Sequence, residues 1–383
     1  MNLRALFLTV LALSCAGVVA AETGVAPGEI TIGSCSDRSG PSAERAGLQL
    51  AGAKVYFDYV NASGGVHGRK LKLVEYDDAY DPGKAVGCFK QLMDGGSFAG
   101  ALFLGTPPAV KYVAMAEANK VTVIGFISGA SLLYNPVKHY VFTVRASSLD
   151  ATKDQLAHAA NDLDLKKVAV IYQNDAYGAH VLESAREAAQ SLGSSIVATA
   201  SYERGSTNVD EAIATVAQSH PEVIVLGAVG APMAEIVRKA KAAGLTSPLY
   251  VTISGDPVFI KEAGKDGDGV VVTQFVPELG EKSKGMALFE SQIKKAGKNP
   301  NYVSLEGYVD AMVLVEGLKR AGAEPTREGF VSGLEQLADF DLGFGPQWRI
   351  GYSSTDHKGF NTVLHTVLRG GKAVPVADWK KLR

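Results

Sequence analysis

The sequence predicts a two-lobed α/β protein built on two doubly wound parallel sheets. Three observations predict it. From Glu29 onward, short β-rich runs alternate with longer stretches of helical spacing. Most of the short runs are apolar at consecutive positions, as strands covered on both faces must be. The rhythm also runs twice, over 24–143 and 148–274. With 383 residues, the chain has room for two such units at roughly 100–200 residues each.

In chain order, 30–34 reads as the first strand, followed by helical spacing over 42–60, a strand at 71–76 and a helix at 82–93. Pro82 stands at the start of that helix, where a missing amide costs nothing. A strand at 100–104, a helix at 107–118 and a strand at 121–127 complete the first block. The second block opens with a helix at 151–163. Strands at 167–173, 195–202, 223–227 and 249–253 then alternate with helices at 178–192, 209–218 and 231–243. After Pro277 come helices at 284–296 and 305–321, then a last strand pair, 346–350 and 362–369, separated by a polar turn. This tail is short for a third doubly wound domain and is expected to complete the first two. The chain then crosses between lobes near Val144-Arg145, Val276-Pro277 and Gly351-Tyr352. The N-terminal lobe takes 22–144 and 277–350, and the C-terminal lobe takes 145–276 and 351–383.

Residues 1–21 differ in kind. Arg4 is followed by a short apolar run from Ala5 to Leu13, and Val19-Ala20-Ala21 gives a small-residue cleavage site before Glu22, which is the pattern of a cleavable secretory signal. Cys15 also permits a lipoprotein reading, but Leu13-Ser14 fits the small-residue requirement poorly. Loss of this segment leaves two cysteines, Cys35 and Cys88, which in an exported chain predict one disulfide. With 38 Lys+Arg against 40 Asp+Glu, the chain has no field to concentrate nucleic acid or anionic membrane.

In open α/β sheets, ligands sit beyond the carboxyl ends of the strands, so the residues after each strand carry the functional reading. Cys35-Ser36-Asp37-Arg38-Ser39-Gly40-Pro41 offers amides and hydroxyls. Gly105-Thr106-Pro107-Pro108 places Thr106 as a helix cap ahead of unpaired amides, and Ser128-Gly129-Ala130 lets backbone approach a ligand. In the second block, Asp175-Ala176-Tyr177-Gly178, Gly227 to Pro232 and Ser254-Gly255-Asp256-Pro257 occupy the same positions. The glycines at 227 and 230 have the wrong spacing for a dinucleotide loop. Catalytic patterns are absent: the histidines have no H-E-x-x-H spacing, neither Cys35 nor Cys88 lies in a Cys-x-x-Cys element, and no Gly-x-Ser-x-Gly occurs. Asp77, Asp78 and Asp81 read as strand-end turn charges rather than metal ligands. No catalytic residue, metal or cofactor is expected.

The run Asn61-Ala62-Ser63-Gly64-Gly65-Val66-His67-Gly68-Arg69-Lys70, with Tyr76-Asp77-Asp78 and Asp81-Pro82, resembles a segment of type I periplasmic solute-binding proteins. These are the Leu/Ile/Val-binding-like receptors of ABC importers. The likeness continues through Asp175 to Gly178, Ala242-Ala243-Gly244-Leu245 and Ser304-Leu305-Glu306-Gly307-Tyr308. The resemblance implies a monomeric periplasmic receptor without enzymatic activity. Its two lobes close on a small organic ligand, an amino acid or related compound, which passes to the permease subunits. The ligand would be held by Thr106, Ser128, Gly129 and Ala130 of the first lobe, whose hydroxyls and amides take its polar end, and by Tyr177, Val229 and Asp256 of the second. Val229 stands where many amino-acid binders carry an aromatic, and Ala109-Val110 where they carry serines. Both changes remove polarity and leave open a less polar or lipid-like ligand, or a sensor subunit on the same fold.

Overall fold

The computed structural model describes residues 22–252 and 257–382. The signal segment with Cys15, and Asp256, lie outside the described residues. In the first lobe, a short strand β1 (Val25–Ala26) turns back on β2 (Glu29–Ser36). There follow α1 (Ala43–Ala62), β3 (Lys70–Asp77), α2 (Pro82–Asp94), β4 (Ala99–Leu104), α3 (Thr106–Asn119), β5 (Val123–Ile127) and β6 (Val141–Phe142). Strands β3-β2-β4-β5-β6 lie side by side and parallel. Every residue of the inner strands β4 and β5 is buried, whereas edge strand β3 is largely half-exposed. The unbroken apolar runs therefore mark sheet interior, as the sequence predicts.

The second lobe repeats the plan with α4 (Ser148–Asp162), β7 (Lys167–Gln173), α5 (Ala176–Ser191), β8 (Ser195–Tyr202), α6 (Asp210–Gln218), β9 (Val223–Gly227), α7 (Gly230–Ala242), β10 (Leu249–Val251), α8 (Pro257–Ala263) and β11 (Val271–Gln274). The chain then adds α9 (Lys284–Lys295), α10 (Tyr302–Arg320) and α11 (Arg327–Glu335) to the first lobe's core, and a hairpin of β12 (Phe340–Asp341) and β13 (Arg349–Ile350). It returns as β14 (Leu364–Arg369) and β15 (Lys372–Pro375), giving the order β15-β14-β11-β10-β9-β7-β8. Here the sequence reading needs correction. The strand at 349–350 does not pair with the one at 364–369: β13 pairs with β12, and β14 runs antiparallel to β11. The intervening residues are the third connection between the lobes, not a turn. They lie along the first connection, with Thr143 N–H donating to His357 O at 3.0 Å and Phe360 N–H to Val144 O at 2.8 Å.

Two features lock the first lobe. Cys35 at the end of β2 is bonded to Cys88 in α2, which ties that helix to the sheet beside the strand ends. On the other face, α1 and α10 cross at backbone distance: a Cβ on Gly52 would lie 1.8 Å from Ser304 O, and one on Gly307 would lie 1.9 Å from Gln49 O. The glycine-rich run after α1 has a similar local cause. Gly65 has φ +76 and no room for a Cβ beside Arg69 O, while the Asn61 side chain brackets the Leu71 backbone, accepting at 2.7 Å and donating at 2.9 Å.

Helix propensity alone favours alanine over glycine by about 1 kcal/mol. The close crossing reverses that preference, and Gly307→Ala is expected to destabilise the protein by about 1–3 kcal/mol through overpacking. Urea unfolding measures the change; a variant as stable as the parent would show that the two helices can separate at no cost.

Candidate functional site

The carboxyl ends of β4 and β5 face those of β7, β9 and β10 across a cleft. Leu104, Thr106, Ile127, Ser128 and Gly129 line it from the first lobe, and Tyr177, Val229 and Thr252 from the second. The structure thus brings Thr106, Ser128, Gly129, Tyr177 and Val229 together. Ala130 is buried beside the cleft but does not line it, its N–H lying 3.4 Å from Ser128 Oγ. Val110 is 41% exposed and lines a separate surface depression, and Ala109 is fully buried in the core, so neither sets the polarity of the cleft.

Local chemistry explains each placement. Thr106 Oγ1 and Ser128 Oγ share a hydrogen bond of 2.8 Å, so both hydroxyls turn to one point. The expected cap is displaced by one residue: Gly105, at φ +90, caps α3, and Thr106 is its first residue. Pro107 and Pro108 have no N–H and Ala109 N–H is taken by Gly105 O, so this helix start offers only the Thr106 amide rather than the row of amides the sequence suggests. In the second lobe, Asp175 caps α5 by accepting from Tyr177 and Gly178 N–H, which stands Tyr177 against the cleft. The Tyr177 hydroxyl is 3.4 Å from Thr252 Oγ1, and burial pushes its pKa up to about 12, so it is a neutral hydrogen-bonding group.

Several lining residues were not expected from the sequence, among them Tyr80, Ser148, Thr252 and the two charged ones, Arg45 in α1 and Arg145 in the first connection between the lobes. The two arginines are 3% and 4% exposed. The Arg145 guanidinium lies 3.2 Å from Glu306 and sits 3.5 Å over the Phe275 ring, which begins the second connection. Burial lowers its pKa, Glu306 opposes that shift and the neighbouring Arg45 adds to it. Below it, Gln49 Nε2 donates to Asp310 Oδ2 at 2.9 Å, and burial, with Glu306 nearby, pushes the Asp310 pKa up to about 8. The signal for Arg145 was a lone charge ending the apolar run Tyr140-Val141-Phe142-Thr143-Val144.

The strand-end carboxylates are structural. Asp37 accepts from Gly40 and Ser42 N–H, Asp77 from Arg38 and Ala79 N–H, and Asp78 from Tyr80 N–H and the Tyr112 hydroxyl. Among the described residues, no group of three or more His, Cys, Asp or Glu is arranged to hold a metal ion.

The lobes also touch directly. His180 Nε2 donates to Gly129 O at 3.0 Å, and burial lowers the His180 pKa, which keeps the ring neutral. Arg204 Nη1 donates to Tyr80 O at 3.1 Å and its guanidinium lies 3.9 Å from Asp81. The structure is that of a closed cleft.

The family model of periplasmic binding proteins matches residues 29–372. The leucine-specific-binding protein of Salmonella typhimurium is 24% identical over 365 residues, covering 89% of this chain and 97% of its own. The crystal structure of a possible leucine/isoleucine/valine-binding protein from Rhodopirellula baltica superposes with a TM-score of 0.87 at 23% identity, covering 95% of this chain and 99% of that one. A fatty acid ABC transporter substrate-binding protein from Thermomonospora curvata has a TM-score of 0.82 at 21% identity, covering 94% of each chain.

Asp310 carries a pH signature. An acid whose pKa is raised from 3.8 to about 8 keeps a proton in the folded state that the unfolded state releases. Its contribution to stability is therefore full below about pH 4 and is lost as the pH rises towards 8. Asp310→Asn mimics the protonated form, so the parent's melting temperature should fall relative to that of the variant between about pH 5 and pH 8. Parallel curves would show that Asp310 is ionised throughout.

Proposed function

The chain belongs to the periplasmic binding protein family, and from that premise we propose that it is an exported receptor that closes on a small organic ligand and delivers it to an ABC importer. The observation that carries this reading is a cleft lined from both sheets and flanked by direct hydrogen bonds between the lobes. A ligand favours closure only through contacts that both lobes make, and this cleft offers Thr106 and Ser128 from one side and Tyr177 from the other.

The ligand class is an amino acid or a related carboxylate-bearing compound, as the names of the Salmonella and Rhodopirellula proteins suggest. Val229 in the cleft wall favours a ligand with an apolar body. The hinge is assigned to Val144-Arg145, Val276-Pro277 and Gly351-Tyr352, dividing the chain into 22–144 with 277–350 and 145–276 with 351–383. Residues 1–21 direct export to the periplasm, where the receptor acts as a monomer and has no catalytic role. The importer's permease subunits are its partners.

A thermal-shift screen of the mature protein against amino acids and organic acids tests the reading. A true ligand at 100 times its dissociation constant stabilises the protein by about 2.7 kcal/mol. Tyr177→Ala is expected to weaken that ligand by about 2 kcal/mol, as loss of a buried aromatic anchor does. A panel without a single hit, or a hit indifferent to Tyr177→Ala, would contradict it.

A further inference from the structure

We propose that the ligand is an organic carboxylate with an apolar body, recognised without an ammonium group, and that Arg45 and Arg145 form the cationic face of its site. The inference rests on the receptor reading above and names its substrate class.

Among the described residues that line the cleft, the polar side chains are two arginines, two tyrosines and serine or threonine hydroxyls, with no carboxylate. Guanidinium groups only donate, and hydroxyls turn to suit, so the wall presents donors to whatever enters. Arg145 is 4% exposed, and its Nε has no hydrogen-bond partner among the described residues, although Nη1 is paired with Glu306. A buried guanidinium edge is suited to a planar anion, which it can bind with two parallel hydrogen bonds. Phe275 fixes the plane of the guanidinium from behind at 3.5 Å. Thr106 and Ser128, joined at 2.8 Å, add hydroxyl donors, while Leu104, Ile127 and Val229 leave apolar wall for the rest of the molecule.

An ammonium group would meet like charge on this face, and such juxtaposition is strongly unfavourable at a desolvated site. The residue that resemblance to amino-acid binders offers for an ammonium is Asp256, outside the described residues, so the test addresses it directly.

Calorimetry on the mature protein compares two matched pairs, leucine with 4-methylpentanoate and phenylalanine with 3-phenylpropanoate. The expected result is that at least one deaminated acid binds about tenfold or more tightly than its amino acid. Asp256→Asn should then leave that affinity within about threefold, and Arg145→Gln should weaken it by about tenfold or more. Should Arg145→Gln fail to fold, the matched pairs and Asp256→Asn still decide the matter. Tighter binding of the amino acids, with loss in Asp256→Asn, would overturn the carboxylate class and leave the receptor reading standing. Silence of all four compounds at millimolar concentration, against a hit of another class in the thermal-shift panel, would also overturn it. Silence of both the four compounds and the panel would bring down the receptor reading itself.

Discussion

The close crossing of α1 and α10 is the constraint on which the cleft depends. Gly52 and Gly307 let the two backbones meet, and that contact buries Arg45 and Gln49 of one helix against Glu306 and Asp310 of the other. A side chain at either glycine would push the helices apart and open this polar floor to water. Desolvating a charged group costs several kcal/mol, and its attraction to a partner offsets this only with good geometry. The floor meets that demand in three ways: Arg145 approaches Glu306 and stacks on Phe275, Gln49 donates to Asp310, and Asp310 holds a proton rather than a charge.

Arg145 also links this floor to the connections between the lobes. It stands in the first connection, touches Phe275 of the second, and pairs with a helix of the first lobe. The third connection lies along the first through the Thr143–His357 and Val144–Phe360 hydrogen bonds. One buried cation therefore joins the connections between the lobes to the wall of the cleft. Closure adds the His180 and Arg204 hydrogen bonds across the lobes, each worth about 1 kcal/mol net.

Much of the architecture was legible in the sequence because sheet interiors leave an unbroken apolar signature. The runs that became β4, β5 and β9 are buried at every position. The shortest elements were not legible: β6 and β12 have two residues each, too few for any period to show. The mispairing of 349–350 arose because sequence adjacency resembles a hairpin, whereas the intervening residues span between lobes. At the site, Thr106, Ser128, Gly129, Tyr177 and Val229 were found because they follow strands. Arg45 and Arg145 were not, since one lies inside a helix and the other in a connection, where charge usually means solvent. Their burial comes from tertiary packing that no local pattern encodes.

The central claim is that a ligand holds two hinged lobes together across this cleft. Solution X-ray scattering of the mature protein, with and without a saturating ligand, tests it most directly. The account predicts a smaller radius of gyration in the bound state, approaching that of the closed structure. An identical radius in both states would contradict it and point to a rigid binding module.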